Sequence, residues 1–182
     1  MKKLRVITTI TATLFTLLLC MCTKESSNTN PNSEMAVRIK DAPSVLCQKA
    51  NIEIKGIQVF SSTQGWVTIP VRDTVVDILQ LQDTSALLAT VNLQPGVISQ
   101  VRVTLGATDT VEVAGLQWVL NLTSTDFIIR VNDTVTANGA FTLIVDINAA
   151  QSIWDDDNDG IHHHYSMSGS GTCDFRRENH RF

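Results

Sequence analysis

The chain lacks the groupings by which most enzymes and nucleic-acid binders announce themselves. It has no CxxC pair and no Cys/His cluster at zinc-ligand spacing. No glycine loop of phosphate-binding form is present. Ser168-Gly169-Ser170-Gly171 lies in a polar stretch, not at the strand-to-helix turn that a nucleophile elbow needs. The largest basic cluster is Arg176-Arg177. Nucleic acid and an anionic membrane face both require broader basic patches, so neither is expected as the main partner. These absences argue for a protein that is not an enzyme. Helical periodicity is also missing: the apolar residues recur at every second position, not every third or fourth.

What is present begins with an address. Lys2, Lys3 and Arg5 precede an uncharged run from Val6 to Leu19, and the chain turns polar at Thr23-Lys24-Glu25. This is the layout of a secretory signal peptide. The run is shorter than the about 20 residues that cross a bilayer as a helix. Cys20 and Cys22 stand where it ends. A cysteine there resembles the lipobox of bacterial lipoproteins, whose thiol is acylated and becomes the first residue of the mature chain. Leu19 stands three residues before Cys22, which makes Cys22 the expected site and Cys20 the alternative. The implied address is the cell envelope, lipid-anchored, at the outer membrane.

Residues 1–22 are thus expected to be the signal and 23–34 a disordered tether, since 23–34 read Thr-Lys-Glu-Ser-Ser-Asn-Thr-Asn-Pro-Asn-Ser-Glu with no apolar residue. One folded domain is expected over 35–175, about 140 residues, followed by a disordered tail over 176–182. Without Lys2, Lys3 and Arg5 the 14 basic residues become 11 against 18 acidic, a net charge of −7. Two cysteines then remain, Cys47 and Cys173. In an oxidising compartment they are expected to pair, tying the start of the domain to its end.

Period-two runs fill the domain. Ile52 and Ile54 share one phase; after Gly56, Ile57 and Val59 share the other. A phase flip beside a glycine marks a β-bulge. Val101-Val103-Leu105, Trp118-Leu120-Leu122, Phe127-Ile129-Val131 and Phe141-Leu143-Val145-Ile147 continue the series. Gln64-Gly65, Pro95-Gly96, Ala114-Gly115, Asn138-Gly139 and Asp159-Gly160 punctuate it. Thr84 to Val91 is the one helix candidate, with Asp83 as its cap. The pattern predicts an all-β, antiparallel β-sandwich of prealbumin or immunoglobulin-like form.

Several stretches resemble the bacterial family known as domain of unknown function 4382, over roughly residues 36–165. They are Asp41-Ala42-Pro43, the bulged strand from Ile52 to Val59, Trp66, and Val76-Asp77-Ile78-Leu79-Gln80-Leu81. The most specific are Leu93-Gln94-Pro95-Gly96-Val97-Ile98-Ser99-Gln100-Val101-Arg102 and Val145-Asp146-Ile147-Asn148-Ala149-Ala150-Gln151-Ser152-Ile153. The resemblance implies an exported lipoprotein with a prealbumin-like sandwich. It implies no activity.

Asp155, Asp157 and Asp159, followed by Gly160, have the alternate spacing of a calcium loop. The twelfth position, where an EF-hand carries its bidentate glutamate, is Ser166. His162, His163 and His164 follow; His162 and His164 would share a strand face and suit a transition metal. Three Asp-Thr-Val triplets, at 73–75, 109–111 and 133–135, match a short acceptor pattern for O-linked glycans and equally suit strands. Two functional classes fit the whole. One is a binding or adhesion module with a glycan or protein ligand, for which Trp66 and Trp154 are the candidate aromatics. The other is a structural or fimbria-associated envelope subunit that exchanges a strand with its partner. A calcium-stabilised scaffold with no ligand is a third.

The acidic run yields a test. Without the bidentate ligand, calcium is expected to bind weakly, on the order of 10⁻⁴–10⁻³ M. Millimolar calcium should raise the melting temperature, and Asp157→Asn should abolish the rise. Equal small shifts by calcium and magnesium in both proteins would mark screening alone.

Overall fold

The computed structural model describes residues 31–41, 46–72, 74–156, 164–168 and 171–177. They form thirteen strands in two sheets, an all-β sandwich as the periodicity predicts. The first sheet runs in the order β13 (Gly171–Arg177), β10 (Ala140–Ile147), β1 (Ser33–Asp41), β5 (Ala86–Leu93). β1 and β10 are parallel; the other pairs are antiparallel. The second sheet is built around β2 (Lys49–Ser61). One edge of β2 pairs with β4 (Thr74–Asp77) and β3 (Gly65–Ile69). Its other edge pairs with β7 (Thr110–Val113) and β6 (Gly96–Leu105). β9 (Asp126–Val135) extends the sheet beyond β6. Beyond β7 lie β8 (Leu116–Leu122), β12 (Tyr165–Met167) and β11 (Ile153–Asp155).

Alternation decides which side chains meet between the sheets. Met35, Val37 and Ile39 of β1 and Phe141, Leu143, Val145 and Ile147 of β10 are at most 3% exposed. They face Ile52, Ile54, Ile57 and Val59 of β2 and Val101, Val103 and Leu105 of β6, all within one core. Each such side chain contributes about 1.5–3 kcal/mol of transfer free energy. The phase flip at Gly56 is real: the β2–β6 register shifts between Ile54 and Gly56, with Lys55 the extra residue. A second flip lies in β6: against β2, Gln100 pairs with Phe60 and Ile98 with Ser61, so Ser99 is extra. The Ala114-Gly115 hairpin has φ of 51° and 77°, the left-handed pair that a two-residue turn between twisted strands requires.

Three expectations are corrected. Thr84 to Val91 does not form a helix: Ala86–Leu93 is β5, paired with β1 along its length. Its alternate partners on β1 outweigh a weak helical pattern, and the nearby helical turn is instead the short 3-10 segment Ile78–Leu81. The strand structure begins two residues earlier than 35. Ser33 is buried; its hydroxyl donates to the Thr136 carbonyl and accepts from the Gly139 N–H at 3.0 Å, so a polar residue becomes the pin of the β9–β10 hairpin. At the other end Arg176 and Arg177 belong to β13, opposite Thr142 and Phe141, rather than to a tail.

The change of partner along β2 has its own chemistry. β6 ends at Leu105 and β7 starts at Thr110, so Glu53 faces the loop between them. The Gly106 N–H donates to the Glu53 carbonyl at 2.7 Å, and the Glu53 N–H donates to Asp109 Oδ1 at 2.7 Å. A carboxylate thus stands in for the missing ladder carbonyl. Gly106 is held to glycine, since a Cβ there would lie 2.6 Å from Glu53 Cβ. Lys55 (2.5 Å) and the Thr108 hydroxyl (2.9 Å) bind the Glu53 carboxylate and lower its pKa.

Asp109 is fully buried, and its Oδ2 has no hydrogen-bond partner among the described residues. Burial pushes its carboxyl from the ordinary 3.8 up to about 6; the Glu53 N–H opposes the rise and the Glu53 charge adds to it. The folded state therefore binds this proton more tightly than the unfolded chain. Stability is greatest below the ordinary pKa and falls as pH rises toward about 6, by an order of 2–3 kcal/mol. Asp109→Asn keeps an oxygen for the Glu53 N–H. Urea unfolding from pH 4 to pH 7 should show that loss flattened in the variant, which should be the more stable protein at pH 7. Identical slopes in both would contradict the assignment.

Candidate binding corner on the nine-stranded sheet

At one end of the large sheet, β12 adds parallel to β8 and β11 closes onto β12. The parallel register places Tyr165 beside Leu120, both buried and facing the core. The next residue along each strand points to the opposite face of the sheet, where Trp154 and Asn121 are exposed and Ser166 between them is covered. Trp154, Ser166 and Asn121 form one row across the three strands. Trp154 is 36% exposed, and Val119, two residues from Asn121 on the same face, is 66% exposed. Trp118, Val119, Asn121 and His164 line a concavity of about 340 Å3.

Hydrogen bonds fix its rim. The Trp154 indole N–H and the Ser166 hydroxyl both donate to the Asp156 carboxylate, one to each oxygen. The Asp156 N–H donates to the His164 carbonyl at 2.7 Å, which closes the two ends of the acidic loop. Thr123 binds the Met167 carbonyl through its N–H at 3.0 Å and its hydroxyl at 3.2 Å, holding β12 to the end of β8. Beneath the surface, Trp118 and Tyr165 stack at 6.1 Å with their planes tilted by 56°. Burial raises the Tyr165 pKa, with the charges of Asp155 and Cys47 adding to it.

The sequence candidates fall unevenly. Asp155 is half-buried on β11, opposite Tyr165. Asp157, Asp159, His162 and His163 lie outside the described residues, as do Cys20 and Cys22. The Ser166 hydroxyl donates to Asp156 within the hairpin. Among the described residues no three His, Cys, Asp or Glu side chains are grouped to hold a metal ion. Of the triplets, Asp109 is the buried junction carboxylate, and Thr110 Oγ1 accepts from Asn51 (3.3 Å) and Gln117 (3.1 Å).

The expected bridge between Cys47 and Cys173 is not formed; both are free thiols. Cys173 is not past the last strand but in the middle of β13, opposite Val145 in the four-stranded sheet. Cys47 is buried near Tyr165 of the other sheet. The antiparallel addition of β13 to β10 sets the first position, and no spacing rule in the sequence reveals it. Burial, with Asp133 and Asp146 nearby, pushes the Cys173 thiol up to about 12, so it is a poor nucleophile.

The family model described as Domain of unknown function (DUF4382) matches residues 32–163. The chain belongs to this family. No curated protein and no solved structure matches it. Two stretches near the ends of the matched segment meet at the parallel pair: Asp41 lies beside Ile147, and Asp41 Oδ1 accepts from the Ala149 N–H at 2.9 Å. Asn148 caps the same helical turn (Ala149–Ser152) through the Gln151 N–H. The stretch Leu93 to Arg102 is pinned to the β2–β3 turn, by Gln94 N–H to Gln64 at 2.8 Å and Val97 N–H to Ser62 at 2.9 Å. The match stops at 163, so β12 and β13 lie beyond it. One wall of the concavity, His164, is therefore outside the family segment, whereas Trp118, Val119 and Asn121 are inside it.

Sequence reasoning missed Val119 and Asn121. Their only signal was an outward phase in a strand read for its inward face. The partner that makes them a wall, β12, arrives by a parallel pairing from 44 residues away, as the Thr123–Met167 contact shows.

Proposed function

We propose that this chain is an exported, lipid-anchored envelope protein that acts as a non-catalytic binding module, with a glycan or protein as ligand. The observation that carries the reading is the corner concavity of about 340 Å3 between Trp118, Val119, Asn121 and His164. Its size suits part of a small ligand or one projecting side group. It combines apolar walls with an amide and an imidazole, and Trp154 beside it is held by Asp156. An aromatic locked before the ligand arrives loses little entropy on binding. The signal-like start and the membership in the family support the envelope address.

A second reading, a structural subunit that gains a strand from a partner, is favoured by β5. It pairs only with β1 among the described residues, and Leu87 on it is 55% exposed. An eight-residue edge of this kind is a template for strand addition.

Two experiments test the proposal. Glycan-array binding should identify a ligand, and Asn121→Ala and Trp154→Ala should each weaken it by about 1–3 kcal/mol without shifting the melt by more than a few degrees. A blank array, with capture of one envelope protein that Leu87→Lys abolishes, would favour strand addition. For the anchor, Cys22→Ser should release the protein from membranes or block its processing. Lipid lost with Cys20→Ser instead would move the site to Cys20, and lipid lost in neither would remove the anchor.

A further inference from the structure

The other half of the large sheet carries a second built surface, separated from the corner by β7 and the first half of β2. Here β3, β2, β6 and β9 lie side by side, and their registers set the outward residues in rows. The first row is Trp66, Phe60, Gln100 and Arg130. The second is Thr68, Gln58, Arg102 and Ile128. Strands about 4.8 Å apart space these side chains at close to the length of one pyranose unit.

The middle of the surface is locked. Phe60 and Trp66 meet edge to face at 5.3 Å. The Arg102 guanidinium sits over the Trp66 ring, 4.2 Å from its centroid. Arg102 Nη1 donates to Gln58 Oε1 at 2.9 Å, and Gln58 Nε2 donates to Thr68 Oγ1 at 3.1 Å. The arginine is therefore immobilised by a ring beneath and an amide beside it, and other N–H groups of its fork have no acceptor among the described residues. Such an arrangement leaves donors available at little entropic cost. Arg130 is exposed, and neither its side chain nor that of its neighbour Gln100 has a hydrogen bond or ion pair among the described residues.

Charge narrows the ligand. The chain is acidic, −4 overall, yet this face presents Arg102 and Arg130 on adjacent strands. Among the described residues the one carboxylate on it is Asp126, a row further on and bound by the Thr104 hydroxyl at 2.5 Å. Two guanidinium groups are too few for a nucleic-acid backbone, which is held by many phosphate contacts. They suit carboxylates, which a guanidinium binds through paired N–H groups. Trp66, Phe60 and the half-exposed Ile128 offer apolar surface between the charges, as the C–H faces of sugar rings require.

We propose that this face binds an acidic saccharide chain, a polymer of hexoses bearing carboxylates, with Arg102 and Arg130 each taking a carboxylate and Gln100 a hydroxyl. It is independent of the corner concavity and of what that corner holds.

The test uses the purified full-length chain in mild detergent and calorimetric titration with polygalacturonate. Binding is expected, weakening with salt, and falling roughly tenfold or more on Arg130→Gln, because one charge-assisted pair is lost. Arg102→Gln should weaken it further. Arg130 is exposed and unpaired, so its variant keeps the fold, and an unchanged melting temperature checks this. Fully methyl-esterified polygalacturonate should not bind, and Trp154→Ala at the corner should bind polygalacturonate like the parent. No binding of polygalacturonate would overturn the proposal, as would unchanged affinity in Arg130→Gln. Equal affinity for dextran sulfate would overturn the carboxylate assignment by showing that charge alone is read.

Discussion

A strand of thirteen residues has two edges, and every backbone N–H and C=O along them needs a partner. β2 meets this demand with four strands, two end to end along each edge. Wherever one partner gives way to the next, the ladder is interrupted. At Glu53 the chain fills the gap with a glycine that lets the backbone approach and a buried carboxylate that accepts the orphan N–H. The alternative, an unpaired buried amide, costs about 1–3 kcal/mol. Burying Asp109 carries its own cost, visible in its raised pKa. The junction trades one electrostatic penalty for continuity of the sheet, and Glu53 in turn is neutralised by Lys55.

That continuity makes the outer face a display surface. Once β2 is paired along both edges, its bulge at Lys55 fixes which of its side chains point outward in each half. Gln58 and Phe60 reach solvent only because the phase flips there; without the bulge Ile57 and Val59 would be exposed in their place. The bulge after Ile98 does the same for Gln100 and Arg102. The two flips lie at opposite ends of the β2–β6 pairing, and both rows lie between them. The same irregularities that fill the core therefore compose the Trp66–Phe60–Arg102 surface.

Alternation made the core readable from sequence. The spacing alone assigns Val101, Val103, Leu105, Phe127, Ile129 and the alternating Phe141, Leu143, Val145 and Ile147 of β10 to one face, and all are buried. The bulge at Gly56 was visible because both flanking runs were long and strongly apolar. The one at Ser99 was hidden because only Ile98 precedes it. Pairing partners were not readable. Parallel contacts between β1 and β10 and between β8 and β12 join segments with no turn between them, and such non-local choices leave no periodic trace. Cys173 and the corner concavity both depend on those choices, which explains why the disulfide expectation failed and why Asn121 was overlooked. Thr84 to Val91 failed differently: a short apolar run is ambiguous between helix and strand until its partner is known.

The parallel pair also explains why Asp41 and the Asn148-Ala149 segment belong together. Two parallel strands end at the same side of the sheet, so the chain leaves both β1 and β10 at one place. The Asp41 carboxylate is buried there and takes the Ala149 N–H, the first amide of a helical turn that would otherwise lack an acceptor. Lys40 reaches Asp146 across the same pair at 2.9 Å. These contacts tie the start of the domain to a segment more than 100 residues later, the task first expected of a disulfide. A hydrogen-bonded clamp of this kind works in any redox state. The free thiols of Cys47 and Cys173 are then no weakness in the fold, because closure of the chain rests on backbone pairing and one buried carboxylate.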